Sequence, residues 1–142
     1  MKHFYKRSVR IIALALAWVI ALSITASAAS AKESVQPYYV GMNQFFVSLD
    51  IPASGRSEVL TVISLTDKEY SADLTAELQK WDNGKWSTIK SWKTNGSYFV
   101  RIEQNWYVLL GNKYRVHATA TVYDKNGKIL DKAYKDSGTV TY

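Results

Sequence analysis

Few side chains in this sequence are equipped for catalysis. Beyond the first 31 residues there is one histidine, His117, beside Arg115 on what reads as a solvent-facing strand surface. The chain has no cysteine, so no thiol stands ready for an imidazole to activate. A zinc site takes three or four His, Cys or carboxylate ligands, and one His without Cys does not supply them. Asp124 and Asp131 flank one turn and Asp82 opens another, and paired carboxylates serve glycoside hydrolysis or calcium binding. An Asp ahead of Asn-Gly is, however, the ordinary turn residue, and the turn role is preferred. No glycine-rich phosphate loop and no G-x-S-x-G elbow appear. The expectation is a protein that is not an enzyme, with no catalytic residue, no metal and no cofactor.

Aromatic residues are the more informative excess. Trp81, Trp86, Trp92 and Trp106 lie after the first 31 residues together with nine tyrosines. Trp and Tyr have flat faces that stack on sugar rings or anchor a protein partner, and they also fill sandwich cores. Trp106 shares a face with Val100 and Ile102 and is expected in the core. Trp86 and Trp92 flank Ile89 at a spacing that no pure alternation fits, which predicts a bulge between them. Trp81, Phe99, Tyr107, Tyr123 and Tyr134 are expected partly outside and are the candidate ligand-binding residues.

Short extended runs separated by turn signals must position these side chains. Phe45 to Ile51 alternates apolar and polar residues and stops at Pro52-Ala53-Ser54-Gly55. Glu58 to Leu65 is rich in β-branched residues. Tyr70, Ala72, Leu74, Ala76 and Leu78 then share one face and Asp73, Thr75, Glu77 and Gln79 the other, the period of a half-buried strand. Asp82-Asn83-Gly84 is a strong hairpin signal, because Asn and Gly accept positive φ. Trp86 to Trp92 follows, with Thr94-Asn95-Gly96 as its expected end.

The next run is Tyr98 to Tyr107, broken at Gly111-Asn112. Tyr114, Val116, Ala118, Ala120 and Val122 alternate with Arg115, His117, Thr119, Thr121 and Tyr123. Asp124-Lys125-Asn126-Gly127 leads into Ile129 to Tyr134 and a final Thr139 to Tyr142. The fold class is therefore all-β, an immunoglobulin-like antiparallel β-sandwich of about seven strands, with a partly closed barrel as the alternative. Tyr114 opens its strand just after Leu110-Gly111, which resembles a tyrosine corner. Pairing of the Tyr70 and Tyr114 strands is expected to set Glu77 against Arg115 as a surface ion pair.

The N-terminus has a different character. Lys2, Lys6, Arg7 and Arg10 precede an apolar run from Ile11 to about Ile24, and Ala26-Ser27-Ala28 and Ala29-Ser30-Ala31 both fit a signal-peptidase site. Residues 1–31 are predicted to be a signal peptide cleaved after Ala28 or Ala31, leaving 114 or 111 residues. An uncleaved anchor is the alternative. Residues 32–42 read as a flexible lead-in and 43–142 as the sandwich domain. No cysteine is available for lipid modification or disulfides, so the expected product is secreted, extracellular or loosely envelope-associated, with no membrane contact after cleavage. The chain holds 18 Lys and Arg against 12 Asp and Glu. Removing the four N-terminal basic residues reduces the formal charge from +6 to +2, which argues against a nucleic-acid partner.

The block Leu78 to Trp86, Ile89 to Trp92 and Lys113 to Tyr123, with its "LQ…NG-W…W…YRV" pattern, resembles a family. It is similar to uncharacterised small secreted β-sandwich proteins of Gram-positive bacteria, and the resemblance covers residues 70–142. It implies the fold and export and carries no functional residues. The functional expectation is a secreted non-enzymatic domain of extracellular or cell-envelope interaction, with cell-wall glycan or an extracellular protein as partner. The alternatives are a carbohydrate-binding module using exposed Trp and Tyr, or a small secreted antimicrobial or enzyme inhibitor.

Overall fold

The computed structural model describes residues 38–142. The expected signal peptide over 1–31 and the lead-in up to residue 37 lie outside the described residues. Eight strands follow: β1 Met42–Asp50, β2 Arg56–Leu65, β3 Ser71–Asp82, β4 Lys85–Ser97, β5 Phe99–Tyr107, β6 Lys113–Tyr123, β7 Ile129–Asp136 and β8 Val140–Thr141. They form two antiparallel sheets, one ordered β1-β2-β5 and the other β4-β3-β6-β7, with β8 continuing the β7 edge along β6. The eighth strand exceeds the expected seven because Val140 and Thr141 pair with the start of β6, beyond the end of β7.

The alternation in the sequence writes the inner faces. Ala72, Leu74, Ala76 and Leu78 of β3 and Tyr114, Val116, Ala118, Ala120 and Val122 of β6 are all buried. Opposite them lie Phe45, Val59, Ile63 and Leu65 of the smaller sheet with Val100 and Ile102. Ala76 pairs with Ala118 at the middle of the larger sheet. Two methyl-sized side chains there leave room for bulky residues from the facing sheet, the large-against-small interleaving that close packing demands.

Turn chemistry acts as its residues dictate. Asn83 (φ 48) and Gly84 (φ 83) are both left-handed, the conformation of a two-residue type I′ hairpin. At the β6–β7 turn the Asp124 carboxylate accepts from the Asn126 and Lys128 N–H groups at 2.8 and 2.9 Å. The bulge between Trp86 and Trp92 is present, because Leu78 pairs with Lys90 and Gln79 with Thr88, so Ile89 is the extra residue.

Three expectations need correction. Asn95-Gly96 does not end β4, since both residues stay in the ladder opposite Asp73 and Ala72. The chain leaves the larger sheet at Tyr98 instead (φ 62). Its carbonyl accepts from the Leu65 N–H at 2.7 Å and its own N–H donates to the Tyr70 carbonyl at 3.2 Å. Those bonds hold a bulky residue in a region that costs about 1–2 kcal/mol. Trp106 is not core: it is 41% exposed. It continues the inward-facing face of Val100 and Ile102, but it sits at the end of an edge strand, where the sandwich is open at the side. There the Lys90 ammonium lies 4.3 Å from its ring. Nor does Glu77 face Arg115; the register sets Glu77 opposite His117 and Gln79 opposite Arg115.

Candidate functional site

The outer face of β4-β3-β6-β7 gathers the densest set of polar and aromatic side chains. Period-2 alternation with no interruption in β3 or β6 sends Asp73, Thr75, Glu77, Gln79 and Trp81 outward beside Tyr123, Thr121, Thr119, His117 and Arg115. From β4, the Ile89 bulge shifts the phase so that Thr88 and Trp86 join this face. From β7 come Tyr134, opposite Thr119, and Asp136, opposite His117.

A connected network crosses all four strands. Asp136 bridges two side chains of β6: Arg115 Nη1 lies 2.7 Å from its Oδ2, and His117 Nδ1 lies 2.5 Å from its Oδ1. Arg115 Nε also donates to Gln79 Oε1 at 2.9 Å. Gln79 Nε2 in turn donates to Glu77 Oε2 at 3.1 Å, and Thr88 donates to the same oxygen at 3.1 Å. Aromatic rings border the network at both ends. Arg115 lies 4.6 Å above the Trp86 ring, and Trp86 meets Trp81 edge to face with centroids 5.1 Å apart. At the other end the Tyr134 and His117 rings lie 5.9 Å apart, tilted by 34°. Fixing each polar group through a neighbour leaves few rotamers to freeze when a ligand arrives, which lowers the cost of binding.

Further along the same face, Tyr123 donates to Asp73 Oδ2 at 2.8 Å. This hydrogen bond, followed by desolvation and the Asp73 charge, raises the Tyr123 phenol above its ordinary pKa. Ser71, Asn95 and Ser97 complete a shallow depression of about 370 Å³ around the pair. Along β3, Asp73 to Trp81 spans about 27 Å at the usual strand rise.

The five sequence-predicted residues divide between two faces. Trp81 (42% exposed), Tyr134 (72%) and the half-buried Tyr123 lie on the face just described. Phe99 and Tyr107 lie on the outer face of the smaller sheet, opposite Ser64 and Arg56 of β2. The fold therefore does not bring the five together. Sequence reasoning missed Asp136, Gln79, Thr88 and the outward position of Trp86. Continuing the β7 alternation past Tyr134 reaches Asp136, and the bulge at Ile89 carries the phase change for Trp86 and Thr88. Both signals were present, but their meaning depended on which strands paired.

His117 and Asp136 form a His–carboxylate pair, yet they stand on an open sheet face with 26% and 36% of their side chains accessible. Their second neighbour is Arg115, a cation that shares the same carboxylate. Among the described residues no group of three or more His, Cys, Asp or Glu is arranged to hold a metal ion. No protein-family model matches the chain, and no curated protein matches it.

Proposed function

We propose that this chain is a secreted, non-enzymatic domain with an immunoglobulin-like sandwich that binds a cell-envelope or extracellular partner through the outer face of β4-β3-β6-β7. The immunoglobulin-like assignment is supported by the division of strands into β1-β2-β5 and β4-β3-β6-β7 and by the Tyr114 phenol. That phenol donates to the Leu109 carbonyl at 2.8 Å at the corner between β5 and β6. Export is supported by the basic, apolar and small-residue order of residues 1–31.

One observation carries the binding role: a preorganised polar network, Glu77-Gln79-Arg115-Asp136-His117, lies between the exposed rings of Trp81 and Tyr134 on a single solvent face. Expression of the full chain in a Gram-positive host, with N-terminal sequencing of the product in the medium, tests export and the cleavage position. Retention solely inside the cells would overturn it. Incubation of that product with host cell envelopes tests the face, since Tyr134→Ala and Trp81→Ala are expected to weaken retention at least about tenfold. Unchanged retention by both variants would remove this face from consideration.

A carbohydrate ligand is the second reading, favoured by the spacing of Trp81 and Tyr134 at opposite ends of a row of hydrogen-bonding groups. Polysaccharide-containing native gels test it; wild-type mobility equal to that in a plain gel, for every glycan tried, would exclude it.

A further inference from the structure

The loop between β5 and β6 carries an apolar tip that the fold holds outward. Leu109 and Leu110 are each 76% exposed and Tyr107 is 73% exposed. Large apolar side chains at a loop tip normally fold back onto the core if the main chain lets them. Here the main chain is fixed from several directions. The buried Tyr114 phenol accepts from the Leu109 N–H at 3.1 Å and donates to the Leu109 carbonyl at 2.8 Å. Asn112 Nδ2 donates to the Leu109 and Leu110 carbonyls at 3.2 and 3.1 Å. The Val108 N–H bonds to the Gly55 carbonyl, the Gly111 and Asn112 N–H groups to the Tyr142 carbonyl, and the Tyr142 N–H to the Asn112 carbonyl.

Such a loop is both rigid and largely self-satisfied in its main-chain hydrogen bonds. That is the condition for a backbone to approach a medium that supplies no hydrogen-bonding partners of its own. The residue types along this loop match a lipid interface. Leu109 and Leu110 lie in the loop, with Tyr107 at the end of β5 before them and Lys113 at the start of β6 after them. Tyrosine rings and lysine ammonium groups favour the headgroup level while leucine favours the acyl chains. Lys85 of the β3–β4 hairpin and Arg56, paired with Tyr107, lie at the same end of the sandwich, as do Asp82, opposite Lys85, and Asp50, opposite Glu58.

We propose that the Tyr107-Leu109-Leu110 tip inserts into the headgroup–acyl boundary of a lipid surface and so holds the domain to a membrane without a covalent anchor. This does not rest on the ligand face of the larger sheet. It replaces the expectation of no membrane contact with a shallow, reversible one.

The absence of cysteine permits a test in the full chain, whatever its N-terminus does. Leu110→Cys and, at the opposite end of the sandwich, Lys125→Cys are each labelled with an environment-sensitive fluorophore. Both are mixed with vesicles of phosphatidylcholine and phosphatidylglycerol. The probe at 110 is expected to shift to the blue and to lose most of its quenching by aqueous iodide, while the probe at 125 keeps its aqueous spectrum. Adding Leu109→Gln to the Leu110→Cys chain should reduce the shifted fraction at least about threefold, with the far-ultraviolet circular dichroism unchanged. An aqueous spectrum at 110 in the presence of vesicles overturns the proposal, as does an equal shift at both positions. A concentration-dependent shift at 110 without vesicles overturns it too, since a second copy of the chain would then cover the tip.

Discussion

Gln79 and Arg115 face each other across the β3–β6 ladder, and the Arg115 Nε donates to Gln79 Oε1 at 2.9 Å. Gln79 is 8% exposed although it belongs to the outward-facing series of β3. The guanidinium covers it from one side while reaching Asp136 on β7 and the Trp86 ring on β4. Arg115 thus links four strands through one side chain.

Replacing Arg115 with Met keeps much of the apolar stem on Trp86 and removes the charged bonds to Gln79 and Asp136. A loss of about 1–2 kcal/mol is expected, since hydrogen bonds to charged groups are worth about 1.5–3 kcal/mol and partial exposure reduces that value. Urea unfolding followed by tryptophan fluorescence checks this. A midpoint equal to the wild type would mean that the network contributes nothing to stability.

Tyr114→Phe leaves the Leu109 N–H and C=O without the phenol that serves both. The C=O keeps its bond from the Asn112 amide, but an unmet N–H at a part-buried corner costs about 1–3 kcal/mol. Thermal unfolding should show the loss, and faster exchange of the Leu109 amide should localise it. Protection at Leu109 as high as in the wild type would refute the clamp.

Asn83 sits at φ 48 in the β3–β4 hairpin. Asn83→Gly is expected to change stability by only a few tenths of a kcal/mol, whereas Asn83→Val forces a β-branched residue into the left-handed region at about 1–2 kcal/mol. Comparing the two by chemical denaturation separates backbone strain from loss of the amide. Equal effects would point to the side chain.

Tyr123 keeps its proton above the ordinary pKa of 10.0 because Asp73 accepts from it. The bond's contribution to stability is present below the unfolded pKa and is lost as pH rises through the higher folded value. Alkaline titration by near-ultraviolet absorbance should show tyrosines ionising late. Tyr39, raised chiefly by burial and then by Asp131, should remain in that late group after Tyr123→Phe. Loss of an ordinary tyrosine, with the late group undiminished, would contradict the Asp73 assignment.

Ala118 is fully buried opposite Ala76 at the middle of the larger sheet. Ala118→Leu adds three heavy atoms where the facing sheet already fills the space, and overpacking of this kind costs about 1–3 kcal/mol. A lowered denaturation midpoint is expected; a raised one would reveal an unfilled cavity.

Local pattern alone determined much of this protein. Alternation over Ala72 to Leu78 and Tyr114 to Val122 marked the inner faces, because the two sides of a strand are written into every second residue. Asn83-Gly84 marked its hairpin and the spacing of Trp86, Ile89 and Trp92 marked the bulge, since both depend only on neighbouring residues. Tertiary structure decided the rest. Whether Glu77 or Gln79 meets Arg115 depends on a register between strands about 36 residues apart, and alternation is blind to a two-residue slip that preserves every face. The same limit hid Asp136, the parting of Phe99 and Tyr107 from Trp81, and the exposure of Trp106. A side chain's face follows from its own strand, but its neighbours and its distance from an open edge follow from strands it never touches in sequence.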